Sequence, residues 1–325
     1  MASHFDIPVI DIGDLIRGPR LAAQERVAGE IFAACTGRGF FYVAGHGVDD
    51  TLIADAFEAN RRFHARPLED KLALKQNRWH RGYQPFAASK LVSQARFEAA
   101  RRPNQLESFF VRHEVPPGHP DYEQRPLQGP NRWPDDPWFR DVVRRYDAAT
   151  RDLGMALLPA FSIAVGAAPG FFSRLFAPAA TALRLIHYPP APETRPEDLF
   201  GISPHTDYGF LTILAQDDVG GLQIRDVAGT WIDAPARPGC FILNIGDILA
   251  RWTNGRFNST PHRVVNPSSE RSRYSIGMFF DPNLDAVIEP LPAFADAGPE
   301  EPPPIRYGDY FAMRLDANYP DRVGV

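Results

Sequence analysis

The chain is poor in the features that mark several large classes of protein. It has two cysteines in 325 residues, Cys35 and Cys240, too few for a disulfide framework and too far apart for a zinc pair. They read as buried thiols of a reducing compartment, so the cytoplasm is the expected location. No apolar run approaches the ~20 residues that a membrane span requires. The opening Met-Ala-Ser-His-Phe-Asp lacks the basic and apolar regions of a signal peptide. A formal net charge of −5 supplies no field for nucleic acid or an anionic membrane, and neither is an expected partner. Internal repeats, low-complexity tracts and flexible linkers are also missing. The remainder is ordinary: 44% hydrophobic and 23% charged residues describe a soluble chain able to bury a substantial core. Nothing in the sequence fixes an oligomeric state.

The first half reads as helices around a few short strands. Ile7-Pro8-Val9-Ile10-Asp11-Ile12 alternates as an edge strand, residues 20–36 and 51–66 carry helical spacing, and Phe40-Phe41-Tyr42-Val43-Ala44-Gly45 is a buried strand closed by a glycine turn. Residues 77–137 are irregular, aromatic and proline-rich. An amphipathic helix is predicted over 137–165. After Thr181 short β-rich runs follow at 183–188, 202–214, 222–225, 241–245, 262–265 and 274–280, separated by glycine, proline or Asn-Pro. Many short strands with turn signals predict a mainly β protein with flanking helices, its core a double-sheet jelly roll. The expected organisation is one domain over 1–325. In it, 1–180 packs a helical and strand part on the core, 181–290 forms the jelly roll, and 291–325 is a tail with a closing helix.

The chemistry is concentrated in that core. On an extended strand His205 and Asp207, two residues apart in Ser203-Pro204-His205-Thr206-Asp207, face the same way. Alone they read more readily as a buried, hydrogen-bonded His–Asp pair. With His262, in Thr260-Pro261-His262-Arg263-Val264, they become two imidazoles and a carboxylate, the facial set of non-haem Fe(II) oxygenases. Arg273 and Ser275 share the same alternation. Arg273 opens an apolar segment, where a buried guanidinium needs an anionic partner, so the pair reads as a seat for a carboxylate. His4, His46, His64, His80, His113 and His119 have no ligand spacing and are read as surface or packing residues. His187 competes with Tyr188, its neighbour on the opposite face, for a place in the interior.

These motifs together resemble the iron(II)/2-oxoglutarate-dependent dioxygenases of the isopenicillin N synthase-like group. Gly39-Phe40-Phe41-Tyr42-Val43, His46-Gly47, Gly82-Tyr83 and Glu107-Ser108-Phe109 extend the resemblance over nearly the whole chain. It implies an oxidoreductase of secondary metabolism whose iron(II) is held by His205, Asp207 and His262. The distal carboxylate of 2-oxoglutarate would sit on Arg273 and Ser275, with Tyr188 helping to hold the co-substrate. With O2, such enzymes hydroxylate, desaturate or cyclise a small molecule and release succinate and CO2. Members build the substrate pocket from the stretch 78–114, the strand end at Phe279-Phe280 and the C-terminal helix, which makes Tyr83, Phe86, Phe110 and Phe279 candidates to line it. Ile186 and His187 depart from the Asn-Tyr-Tyr-Pro of plant members, and isoleucine supplies no hydrogen bond to the co-substrate. Some relatives keep Arg-x-Ser and use no 2-oxoglutarate, so an oxidase of that kind is the alternative. A metal-binding protein without turnover and a zinc hydrolase are more distant readings; no spare carboxylate is evident in the motif strands to serve hydrolysis as a base.

Overall fold

The computed structural model describes residues 7–18, 20–89, 102–122, 127–296 and 302–318. His4 and part of the 78–114 stretch lie outside them. In chain order the strands are β1 (Val9–Asp11), β2 (Phe40–Ala44), β3 (Gly82–Gln84), β4 (Glu107–Arg112), β5 (Ala180–Tyr188), β6 (Ile202–His205), β7 (Leu211–Gln216), β8 (Leu222–Arg225), β9 (Trp231–Asp233), β10 (Cys240–Ile245), β11 (His262–Val264), β12 (Arg273–Asp281), β13 (Val287–Ile288) and β14 (Ile305–Arg306). The large sheet runs β1-β2-β10-β7-β12-β5-β4-β3, the small one β6-β11-β8-β9, and β13 pairs with β14. Four strands of the large sheet therefore come from the first 112 residues, which complete the sheet begun by the later strands.

Alternation along the strands assigns each side chain to a layer. On β12, Ile276, Met278 and Phe280 join Leu183 and Leu185 of β5 in the main core. That core is covered by the helices α2 (Leu21–Gly37), α3 (Asp50–His64) and α5 (Pro137–Ala164). Each of the last two helices begins where the chain supplies a cap. The Asp49 carboxylate accepts from the Thr51 and Leu52 amides at 2.7 and 3.2 Å. Asp136 accepts from Phe139 at 3.0 Å, with Pro137 at the first helical position. The opposite face of the large sheet meets the small sheet over Tyr42, Ile186, Tyr188, Ile202, Leu222, Ile224 and Val264. This inter-sheet layer is the interior of the expected jelly roll, and the chemistry-bearing residues line it.

One expectation needs correction. Residues 202–214 are not one strand: β6 ends at His205, belongs to the small sheet, and is followed by an irregular crossing to β7 in the large sheet. Strict alternation on a shared strand therefore does not place Asp207 beside His205. The crossing does, and Asp207 sits where the chain leaves one sheet for the other.

Candidate metal centre

His205 and His262 are direct cross-strand partners on β6 and β11, with ring centroids 4.2 Å apart. Each ring is oriented by its own chain: Nδ1 of His205 donates to the Ser203 carbonyl at 2.9 Å, and Nδ1 of His262 to the Thr260 carbonyl at 3.1 Å. A carbonyl only accepts, so Nδ1 carries a proton, and in the neutral ring Nε2 presents a bare lone pair. Both Nε2 atoms lie 3.7 Å from Oδ1 of Asp207. That is too long for a hydrogen bond and within the reach of two ligand bonds of ~2.1 Å to a shared ion. Oδ2 of Asp207 is already occupied, accepting from Thr212 Oγ1 at 2.5 Å and Asn244 Nδ2 at 2.7 Å. One carboxylate oxygen is thus tied to the large sheet and the other faces the imidazoles. Among the described residues this is the one cluster of donors suited to a metal.

The electrostatics agree with that division. Burial, with His262 alongside, pushes His205 down to about 3, so its ring is neutral at physiological pH. Burial alone would raise the Asp207 carboxyl. His262, His205 and the bonds from Asn244 and Thr212 outweigh it and hold the group below the usual carboxylate range. The loop is held by the Asp247 amide, which donates to the Asp207 carbonyl at 2.8 Å. It also needs glycine at 209, because a Cβ there would lie 1.9 Å from Asp281 Oδ1.

The second centre is Arg273, 0% exposed. Its Nε donates to the Gly220 carbonyl at 2.6 Å, Nη2 to Gln216 Oε1 at 2.9 Å and Nη1 to Ser275 Oγ at 3.2 Å, and its guanidinium lies 4.7 Å from the Tyr188 ring centre. Every one of these partners is neutral, and Arg273 makes no ion pair among the described residues. Asp217 attracts the guanidinium without contacting it; a buried guanidinium with no carboxylate in contact is costly, and an incoming carboxylate lowers that cost. Tyr188 and Ile186 share its layer. His187 points to the other face, between Glu107 Oε1 at 2.8 Å and Ser272 Oγ at 2.9 Å. Ser275 stands opposite Ile186 on one side and Gln216 on the other. Gln216, not singled out from the sequence, is the polar residue that orients the arginine.

A cavity of about 730 Å³, counting its open mouth, adjoins the triad. Phe110 and Phe279 line it, as do Phe311 and Leu315 of the C-terminal helix α8 (Tyr307–Asn318). Tyr83 and Phe86 do not. Tyr83 is fully buried in the main core with its hydroxyl on Glu107, and Phe86 is 47% exposed. Three lining residues escape a reading of the sequence. His80, expected at the surface or in local packing, is buried against the Phe110 ring. Arg184 alternates with Ile186 and Tyr188 on β5, which is the signal that could have revealed it. Asp281 ends β12 and is a spare carboxylate that the motif strands do not reveal by their pattern. Its Oδ1 accepts the Phe210 amide at 2.7 Å, and burial pushes its carboxyl up to about 6.

Comparison with known proteins agrees with this geometry. A family model described as the 2OG-Fe(II) oxygenase superfamily matches residues 179–282, and one described as non-haem dioxygenase in morphine synthesis N-terminal matches 7–136. The chain is 34% identical to the 2-oxoglutarate-Fe(II) type oxidoreductase hxnY of Emericella nidulans, over 93% of this chain and 87% of that protein. It is 36% identical to a homoarginine-6-hydroxylase of Arabidopsis thaliana, over 90% and 89%. Among solved structures, a full-length Neurospora crassa protein in complex with alpha-KG and thymine superposes with a TM-score of 0.83 at 27% identity, over 98% of both chains. The chain belongs to the 2OG-Fe(II) oxygenase superfamily: it is an enzyme that uses iron(II), 2-oxoglutarate and dioxygen to oxidise a small molecule.

Proposed function

We propose that His205, Asp207 and His262 are the iron ligands and that Arg273 and Ser275 receive the distal carboxylate of 2-oxoglutarate, with Tyr188 as the wall beneath the guanidinium. The observation that carries this reading is the wholly buried Arg273 with neutral partners only, set in the same interior as three converging lone-pair atoms. Iron(II) held by these residues would bring dioxygen, the oxidant, together with the co-substrate, one oxygen atom going to succinate as CO2 is lost and the other to oxidation of the substrate. The protein's own part is to fix donors and carboxylate seat before binding. The apolar inter-sheet layer keeps water away from them. Phe110 and Phe279 are the pocket residues that this reading retains; Tyr83 and Phe86 have no place in it. The whole chain acts as one oxygenase unit, since strands from its first third complete the sheet that carries the seat. A cytoplasmic role in secondary metabolism is part of the same proposal.

The test is anaerobic. Iron(II) and then 2-oxoglutarate are added to metal-free protein, and a weak visible charge-transfer band should require both. Ala in place of His205, Asp207 or His262 should remove iron binding. Arg273→Ala should leave iron binding intact and raise the 2-oxoglutarate requirement roughly 10–100-fold, the worth of a charge-assisted hydrogen-bond pair. An unchanged requirement would refute the seat.

A further inference from the structure

Arg184 repeats, further along the same two strands, the situation of Arg273. The β5–β12 register sets Arg273 opposite Tyr188, Ser275 opposite Ile186, Gly277 opposite Arg184, Phe279 opposite Ala182 and Asp281 opposite Ala180. Alternation turns all of these towards the inter-sheet space. Arg184 is therefore four residues from Tyr188, or ~13 Å at ~3.3 Å per residue, beyond the seat and within the cavity that His205 and Asp207 also line. Its Nε donates to Ser108 Oγ at 3.1 Å and its Nη2 to Gln84 Oε1 at 2.8 Å, while the guanidinium lies 4.8 Å from the Phe110 ring centre. Ser108 in turn bonds Gln84 at 3.0 Å. The platform orients the cation without neutralising it, and Arg184 makes no ion pair among the described residues.

The charge inventory of the cavity points the same way. Its lining includes two guanidiniums, Arg112 and Arg184, and two carboxylates, Asp207 and Asp281. Asp207 is committed to the metal centre. Asp281 is on the row of Ala180, with Arg112 on the adjoining row of Ala182. Among the described residues, that leaves no carboxylate to compensate the Arg184 charge at the row opposite Gly277. A methyl group at Gly277 would meet only Leu214, in ordinary contact at 3.7 Å; glycine is not forced there by packing, and the position opposite Arg184 leaves room beside the strand.

We propose that the substrate is a carboxylate-bearing small molecule with an apolar body, its carboxylate docked on Arg184 and its body against Phe110, Phe279 and Phe311. This rests on the assignment of the neighbouring centre as the site of oxidation. A forked guanidinium held on neutral partners and stacked on an aromatic face is suited to carboxylate recognition. Its separation from Arg273 along the strand means that this anion is a different one from the distal carboxylate of the co-substrate.

The experiment uses matched pairs of acid and primary amide (phenylacetate, 3-phenylpropionate, indole-3-propionate and octanoate with their amides). Their affinities are measured by calorimetry on the full chain, both metal-free and as the anaerobic iron(II)/2-oxoglutarate complex. At least one acid should bind about tenfold or more tighter than its amide. Arg184→Gln should erase that preference and Arg184→Lys keep part of it, with 2-oxoglutarate affinity unchanged in both. The proposal is overturned if no acid outcompetes its amide, if the preference survives in Arg184→Gln, or if that variant weakens 2-oxoglutarate instead. Failure of the charge-transfer band to form in the unaltered protein would count against the metal reading alone. The acid–amide comparison on metal-free protein reports on Arg184 regardless.

Discussion

Asp207 gives its two carboxylate oxygens different work, and the difference is set by neutral neighbours. Thr212 and Asn244 hold Oδ2 at 2.5 and 2.7 Å, which leaves Oδ1 directed at the two Nε2 atoms. Without them the carboxylate could rotate, and the unliganded site would lose its preformed geometry. Partners that orient a ligand in this way are worth roughly 10–100-fold in metal affinity. Asn244→Ala is therefore expected to weaken iron(II) binding by about tenfold while leaving the far-ultraviolet circular dichroism unchanged. Thr212→Val, which keeps the side-chain shape, should do the same. An iron(II) titration of either variant that matches the parent would mean that the crossing loop alone fixes Asp207.

At the level of elements, α5 carries a group that the fold tolerates rather than uses. Asp147 is largely buried, its Oδ1 has no hydrogen-bond partner, and its Oδ2 is 3.6 Å from Arg151. Burial pushes its carboxyl up to about 6 from 3.8. The ionised form is therefore the disfavoured one: the penalty is absent below the unfolded value, grows through the window from 3.8 to about 6, and is complete above it. Asp147→Asn should raise the melting temperature at pH 8, by up to about 3 kcal/mol of stability, and have little effect at pH 4. Equal gains at both pH values would assign the effect to something other than ionisation. Elements like α5 were also the most legible from sequence, because capping residues and periodicity are local. The strands from Arg273 and from Ala180 were equally plain, as were the triad and the Arg-x-Ser pair. The 206–210 crossing was not, since its apolar alternation reads like a strand and only the change of sheet breaks it. Gln216, Arg184 and Asp281 went unread for a related reason. Their roles depend on which residues of distant strands lie opposite one another, and no single strand's pattern contains that register.

Across the whole molecule the proposed metal centre is also a joint between layers. His205 and His262 stand on β6 and β11 of the small sheet, whereas the residues that hold Asp207, Thr212 and Asn244, stand on β7 and β10 of the large one. An ion bound by His205, Asp207 and His262 would tie the two sheets together through the crossing between them. Binding to the folded state alone stabilises by about 2.7 kcal/mol when the free ion is at 100 times its dissociation constant. With an unfolding entropy of ~2.1 cal/mol/K per residue, a chain of 325 residues has about 0.7 kcal/mol/K, so the melting temperature should rise by about 4 °C on anaerobic iron(II) loading. The gain should be localised as well: hydrogen exchange at the amides of β6 and β11 should slow more than in α2 or α3, which lie on the far side of the large sheet. His262→Ala should abolish both effects. Iron(II) that binds with no slowing in the small sheet would be held by some other set of donors, and the joint between the sheets would not exist.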